Sequence, residues 1–304
     1  MKFYANLHTH STHSDGKYSP AEMVQVAKGE GYKALAITDH DTATAFPYLK
    51  EECDREGLDC IFGVEFTANS PLLSSGYFHM VAFDFDPEYP EMKEYLRRLS
   101  INETEQTKYC FDRAQREGNL LDITWDEVLE YNKGITWLCN DHLFSAMKAK
   151  GLVTDLDYEP FFDAYFGPRR YEFQVPYEFL DVKDLIKLVH DAGGIILLAH
   201  PHMQIQFVDQ LVEWGMDGLE VWHREVEQDE QKQAYKIALD KELYISGGSD
   251  HSGLCGGMYE SYKSPEECPY FIAPLSTGTT ELHFNEIKQR KINKEERAKI
   301  ISSL

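Results

Sequence analysis

Short apolar runs alternate with amphipathic stretches through roughly the first 85 residues, and nearly every run ends in a histidine or a carboxylate. Such alternation predicts strands joined by helices in a parallel sheet or barrel. Residues 3–7, 34–37, 60–64 and 78–83 read as strands. Ser19-Pro20-Ala21-Glu22 is a capping box with proline at the first helical position, opening a helix that ends near Gly31, and a second helix occupies 47–56. From 86 to 175 the pattern shifts to longer helical stretches: 91–117, then 125–131 behind a second capping box (Thr124 to Glu127), then 142–150 closing at Gly151. The alternation returns with helix 181–192, strand 195–199, helix 207–214, strand 219–221, helix 231–239 and strand 244–246. The expected fold class is therefore α/β, with a barrel-like unit in two segments, 1–85 and 176–304, around a mainly helical insertion at 86–175. No internal repeat is evident, and the charged tail 288–299 reads as a solvated helix.

The strand ends carry the chemistry. In His8-Thr9-His10 the two imidazoles are two residues apart, so on extended backbone they face the same side and can present themselves to one ion. With 12 histidines in 304 residues, roughly half of one such match is expected by chance, so the later clusters have to decide. They are Asp15-Gly16, Thr38-Asp39-His40-Asp41, Gly63-Val64-Glu65, His79, Ala199-His200-Pro201 and Gly248-Ser249-Asp250-His251. Each has an ordinary explanation: His79 as a core histidine, Asp15-Gly16 as a turn, Asp39 and Asp250 as helix caps. Together, imidazoles and carboxylates at six strand ends of one barrel face call for compensating charge, and divalent metal is the simplest source.

Composition narrows the partners. Hydrophobic residues make up 42% and charged residues 27%, with no apolar run near the ~18 residues that span a bilayer. A net charge of −22 disfavours long nucleic acid, whose binding depends on Lys and Arg neutralising phosphates. Small anionic substrates stay open, because bound divalent cations invert the local field of a carboxylate-rich site. Residues 1–7 lead straight into the HxH motif with no signal-sequence pattern, and the six cysteines (Cys53, Cys60, Cys110, Cys139, Cys255, Cys268) form no CxxC pair. A cytoplasmic protein with reduced thiols is expected.

In order along the chain, HTHSTHSDG, ITDHD, GVEFT, FHMVAF, LLAHP and GGSDHSG resemble the motifs of the polymerase and histidinol phosphatase (PHP) superfamily of metal-dependent phosphoesterases. The insertion between FHMVAF and LLAHP is similar to that of the branch acting on nucleotide or oligonucleotide phosphates. The resemblance implies a distorted seven-stranded β/α barrel with two or three divalent ions (Mn, Fe or Zn) at its C-terminal face. Carried over by position, His8, His10, Glu65 and Asp250 would hold the first ion. Glu65 would bridge to a second held with His79 and His200, and Asp15 with His40 would supply a third. A carboxylate bridge sets two cations ~3.5–4 Å apart, the spacing that clamps both oxygens of an in-line displacement. The expected reaction is attack of a metal-bridging hydroxide on a small, nucleotide-like phosphate ester, with Asp250 or His200 shuttling the proton.

The last motif departs from the family pattern, which places a histidine where this chain has Ser252. His251 stands one residue early, so its side chain turns the other way, and His13 is a second candidate for the third site or else a solvated loop histidine. Asn140-Asp141-His142 keeps the histidine but not the arginine of an Arg-x-His sequence found in relatives. His142, Lys17, Arg169, Arg170, His202 and Arg224 are candidate phosphate holders. Tyr165, Phe166 and Tyr171 either stack on a base or belong to the core. The competing functions are an amidohydrolase, which also uses HxH on a β/α barrel, and a non-catalytic metal-binding regulatory module.

Overall fold

In the computed structural model, which describes residues 2–167, 172, 179–224, 226–250 and 277–301, eight strands form two sheets. The first sheet is β1 (Ala5–Asn6), β2 (Ala34–Leu35) and β3 (Asp59–Cys60), all parallel. The second runs β4 (Gly63–Ala68), β5 (Phe78–Phe83), β6 (Ile195–Leu198), β7 (Gly218–Trp222) and β8 (Tyr244–Gly247). One expected strand, 60–64, is two: the chain steps from one sheet to the other at Ile61-Phe62, so β3 pairs with β2 while β4 pairs with β5.

The second sheet is mixed rather than parallel. β5 runs antiparallel to both β4 and β6, and only β6, β7 and β8 are mutually parallel. The physical reason is the connection: residues 69–77 between β4 and β5 are fewer than the dozen or so that a parallel crossover needs. Backbone hydrogen bonds join the two sheets at both margins. Leu7 N–H donates to Gly247 O (3.3 Å) and Asp250 N–H to His8 O (2.8 Å), while Glu65 N–H donates to Thr38 O (3.2 Å). β6 is Ile-Ile-Leu-Leu, buried along its whole length, as a strand covered on both faces should be.

Helices α1 (Pro20–Glu30), α2 (Phe46–Glu56), α7 (Val182–Asp191), α8 (Val208–Glu213) and α9 (Gln228–Asp240) cover the sheets, and each carries a buried apolar stripe. α1 opens on the reciprocal Ser19–Glu22 capping box and closes at Gly31 in the left-handed region, φ 97°. Between β5 and α7 lie α3 (Pro90–Arg116), α4 (Trp125–Tyr131), α5 (Asn140–Ala149) and α6 (Tyr158–Tyr165). α3 divides its contacts: Met92, Tyr95 and Leu99 belong to the main core, whereas Cys110 and Phe111 pack with Val128, Leu143, Phe144 and Phe161 in a separate cluster. α6 escapes a periodicity reading because its buried face reduces to Phe161.

The charged tail 288–299 is mostly helical and exposed over most of its length, as expected. It runs from the end of α10 (Glu281–Gln289), whose Phe284 and Ile287 are buried in the core, into α11 (Lys294–Ile301). Arg297 is 4% exposed, donates to both Glu286 oxygens and to Leu243 O, and so clamps the two helices onto the sheet. Charge composition hid this because an arginine stem can bury itself when its head is fully bonded. Among the described residues no helix is long and apolar enough to cross a membrane.

Candidate metal centre

Glu65 sits within β4 with its carboxylate 1% exposed, and five histidines from four segments close around it. Its Oε2 lies 3.1 Å from His8 Nε2, 3.2 Å from His10 Nε2 and 3.3 Å from His40 Nδ1. Its Oε1 lies 3.2 Å from His79 Nδ1 and 3.1 Å from His200 Nε2. Asp250 completes one side, with Oδ1 3.0 Å from His10 Nε2 and 3.7 Å from His8 Nε2. Asp15 flanks the other, 3.3 Å from His10 Nδ1 and 3.9 Å from His40 Nε2.

Local sequence explains this convergence. His8 and His10 leave the C-terminal end of β1, His40 follows β2, His200 follows β6, and Asp250 follows β8. His79 stands in β5, opposite Thr67 of the neighbouring β4. The first loop is braced by Asp39, which accepts from Ser11 N–H (2.6 Å), Ser11 Oγ (2.7 Å) and Ser14 Oγ (2.7 Å). Asp39 thus caps no helix. His200 and Asp250 are held at φ 23° and 50°, a left-handed region that costs non-glycine residues ~1–3 kcal/mol each. Gly248 lets β8 meet β1, since a Cβ there would fall 2.3 Å from His8 Cβ and 2.4 Å from His8 N. Gly248→Ala should therefore cost on the order of 2–3 kcal/mol in denaturant titration and displace His8. Gly29→Ala in α1, where an added methyl meets nothing, should stabilise by about 0.5–1 kcal/mol.

Among the described residues four overlapping clusters present ligand atoms within 4.8 Å of one another: His8, His10, Glu65 and Asp250; His40, Glu65 and His79; His10, Asp15 and His40; and His8, Glu220 and His223. His8 Nε2, His10 Nε2 and Glu65 Oε2 are sealed from water and make no hydrogen bond. Leaving such groups unsatisfied costs about 1–3 kcal/mol each, a cost that a cation between them removes. The donor set, imidazole and carboxylate without thiolate, suits Mn, Fe or Zn.

The electrostatics of the metal-free cluster agree. Burial opposes charge on His8 and His10, yet Glu220 and Glu65 beside the first, and Asp15, Asp250 and Glu65 beside the second, lift both well above the ordinary histidine value. Burial would raise the Glu65 carboxyl, but His8, His40 and His79 hold it well below the usual range. Asp250 is likewise held low, against burial, by His10 and His223. His40 goes the other way because burial outweighs its carboxylate neighbours.

The remaining candidates are spread out. Arg224 borders the cluster, 3.5 Å from Asp250 Oδ2. Lys17 and His142 line a cavity of about 550 Å³ between the first loop and helices α4 and α5. His142 is buried with both ring nitrogens engaged: Nδ1 accepts the Cys139 N–H (3.0 Å) and Nε2 donates to Thr12 O (3.1 Å). Burial lowers its pKa to about 4. His202 lies outside the cluster, paired with Glu230 at 2.8 Å. His13 turns away to Thr44 Oγ1 (2.8 Å). Tyr165 and Phe166 pack against Phe161 in the insertion cluster. Arg169, Arg170, Tyr171, His251 and Ser252 lie outside the described residues.

Two residues went unread in the sequence. Glu220, in the apolar strand β7, approaches His8 Nδ1 at 3.1 Å, and His223 Nε2 lies 3.5 Å from Asp250 Oδ2. The available signal was a lone carboxylate inside Leu219-Glu220-Val221-Trp222, since a buried charge needs a partner.

Comparison with known proteins places these features among relatives. The PHP domain model matches residues 6–165. A 5'-3' exoribonuclease of Haemophilus influenzae is 29% identical over 262 residues, covering 83% of this chain and 90% of that protein. A 3',5'-nucleoside bisphosphate phosphatase of Chromobacterium violaceum is 25% identical over 281 residues, covering 89% and 94%. The crystal structure of a predicted metal-dependent phosphoesterase from Bifidobacterium adolescentis superposes with a TM-score of 0.73 at 26% identity, covering 96% of this chain and 97% of that one.

Proposed function

Because the chain belongs to the PHP domain family, we propose that this metal-dependent phosphoesterase hydrolyses a small, nucleotide-like phosphate ester at the Glu65 cluster. The observation that carries the reading is Glu65 itself, whose two oxygens face two different sets of imidazoles. His8, His10, Glu65 and Asp250 would hold one ion, and Glu65, His79 and His200 a second, with His40 beside both. Asp15 with His40 and His10 is the candidate third position. Two or three divalent ions there would supply Lewis acidity and a water acidified toward neutral pH.

The chain's own residues supply the rest. Strands that end at one face hold the ligands rigidly, so little reorganisation is needed as charge develops on the phosphate. Arg224 is placed to neutralise a phosphate oxygen near Asp250, and Lys17 to attract an anion from the cavity rim. Asp250, 18% exposed and reached by His223, is the group through which a proton could leave toward solvent, with His200 as the alternative. The relatives' names support a nucleotide-like substrate. We also read the strands as a distorted barrel, supported by the bonds joining the two sheets, and residues 86–175 as an insertion, supported by its separate apolar cluster. The four described cysteines are free thiols, in keeping with a cytoplasmic enzyme.

The test is phosphate release by metal-stripped protein, with Mn, Fe or Zn restored, from nucleoside mono- and bisphosphates, histidinol phosphate and short oligonucleotides. Turnover that appears only with metal is expected, the nucleotides leading. Stoichiometric metal without phosphate release from any compound would sink the reading and favour an amidohydrolase or regulatory module.

A further inference from the structure

Glu220 is 1% exposed and stands where β7 is otherwise apolar. Its Oε1 and Oε2 lie 3.2 and 3.1 Å from His8 Nδ1, and Oε2 also accepts the His200 N–H at 2.8 Å. The opposite nitrogen of His8, Nε2, faces Glu65 and Asp250. A carboxylate only accepts hydrogen bonds, so it selects the ring form with the proton on Nδ1 and leaves the Nε2 lone pair aimed at the cluster. The same carboxylate pins the backbone of His200 in its strained conformation, φ 23°.

We infer that Glu220 is a positioning residue that sets the tautomer of His8 and seats His200, so that one buried carboxylate keeps ligands of both metal positions in register. The inference rests on the metal reading above. Nothing in the strand's packing demands a carboxylate: Leu219 and Val221 on either side are core residues, and an apolar side chain at 220 would fill the space without the cost of burying charge. What the carboxylate adds is the orientation of two imidazole-bearing residues whose sequence positions, 8 and 200, are far apart.

Zinc-loaded protein and its Glu220→Gln variant would be compared by chelator competition and by nitrogen–proton correlation spectra of the imidazoles. In the wild type the His8 ring should show zinc on Nε2 and a slowly exchanging proton on Nδ1. Glutamine is isosteric and keeps an oxygen for the His200 N–H, but its amide group loses the charge. Zinc should bind about 10–100-fold more weakly, with the Nδ1 proton moved upfield and exchanging faster. Glu220→Asp, which retains the charge, should recover part of the loss. A Glu220→Gln variant that binds zinc within twofold of wild type and leaves the Nδ1 proton unchanged overturns the inference, as does a wild-type His8 protonated on Nε2. Wild-type protein that takes up no metal would overturn the phosphoesterase reading as well, so the two failures are distinguishable.

Discussion

Glu65→Gln should abolish metal-dependent phosphate release, lowering kcat/KM by on the order of 10^3-fold or more, equivalent to about 4 kcal/mol of transition-state stabilisation. The size follows from position. Among the described residues, the Glu65 carboxylate faces His8, His10 and His40 through one oxygen and His79 and His200 through the other. Glutamine keeps the volume but puts an N–H₂ where one of these oxygens stood, and an amide nitrogen with its protons directed inward repels a cation instead of binding it. One bridge is thereby lost from two positions at once. Elemental analysis of the purified variant should show less than one ion per chain while circular dichroism stays that of the folded protein. A folded variant that keeps both its metal and more than a tenth of wild-type turnover would refute the bridging role.

The second large effect is a dependence of metal affinity on pH. In the metal-free protein His8, His10 and His200 have raised pKa values, each against the opposing effect of burial, because carboxylates surround them. A cation must displace those protons, so affinity should rise roughly tenfold per pH unit for each proton released, from about pH 6 upward until the raised values are passed. Stability carries the same signature. Histidines whose folded pKa is raised contribute stability that is complete below about 6.5 and is lost as pH climbs through the folded value. Glu65, Glu220 and Asp250, whose folded pKa values are lowered, contribute stability present above about 4 and lost only as pH falls further. These groups by themselves favour the metal-free fold between about pH 4 and 6.5, whereas His40 and His142, whose pKa values are lowered by burial, oppose it as pH falls below about 6.5. The gain in Tm on adding Mn or Zn should then grow from pH 6 to pH 8. Metal titrations with no pH dependence over that window would contradict the protonated state assigned to the metal-free cluster.

Legibility in the sequence tracked how local each signal was. Helices α1 and α4 were readable because capping boxes at Ser19 and Thr124 and apolar spacing operate within a few residues. β5 was found as a strand but not its direction, although the short 69–77 connection carried that information. The HxH pair, Glu65, His79, His200 and Asp250 were singled out as one chemical set because polar residues at strand ends have few other reasons to recur. His142 was read as a phosphate holder from its likeness to the Arg-x-His sequence of relatives. Its engagement with Cys139 and Thr12 depends on the packing of α5 against the first loop, which no spacing encodes.

By itself, then, the sequence determined most of the elements, their order and the chemical character of the site, because periodicity and the scarcity of imidazoles and carboxylates beside apolar runs are local signals. It did not determine α6 or the division of 60–64 into two strands. Only the tertiary structure decided which oxygen of Glu65 meets which imidazole, that Arg297 is buried against Glu286, and that Glu220 reaches both His8 and His200. Those contacts join residues up to about two hundred positions apart. Their geometry is set by strand register and by the close approach at Gly248, and a side chain's polarity does not reveal which distant backbone will be brought to face it.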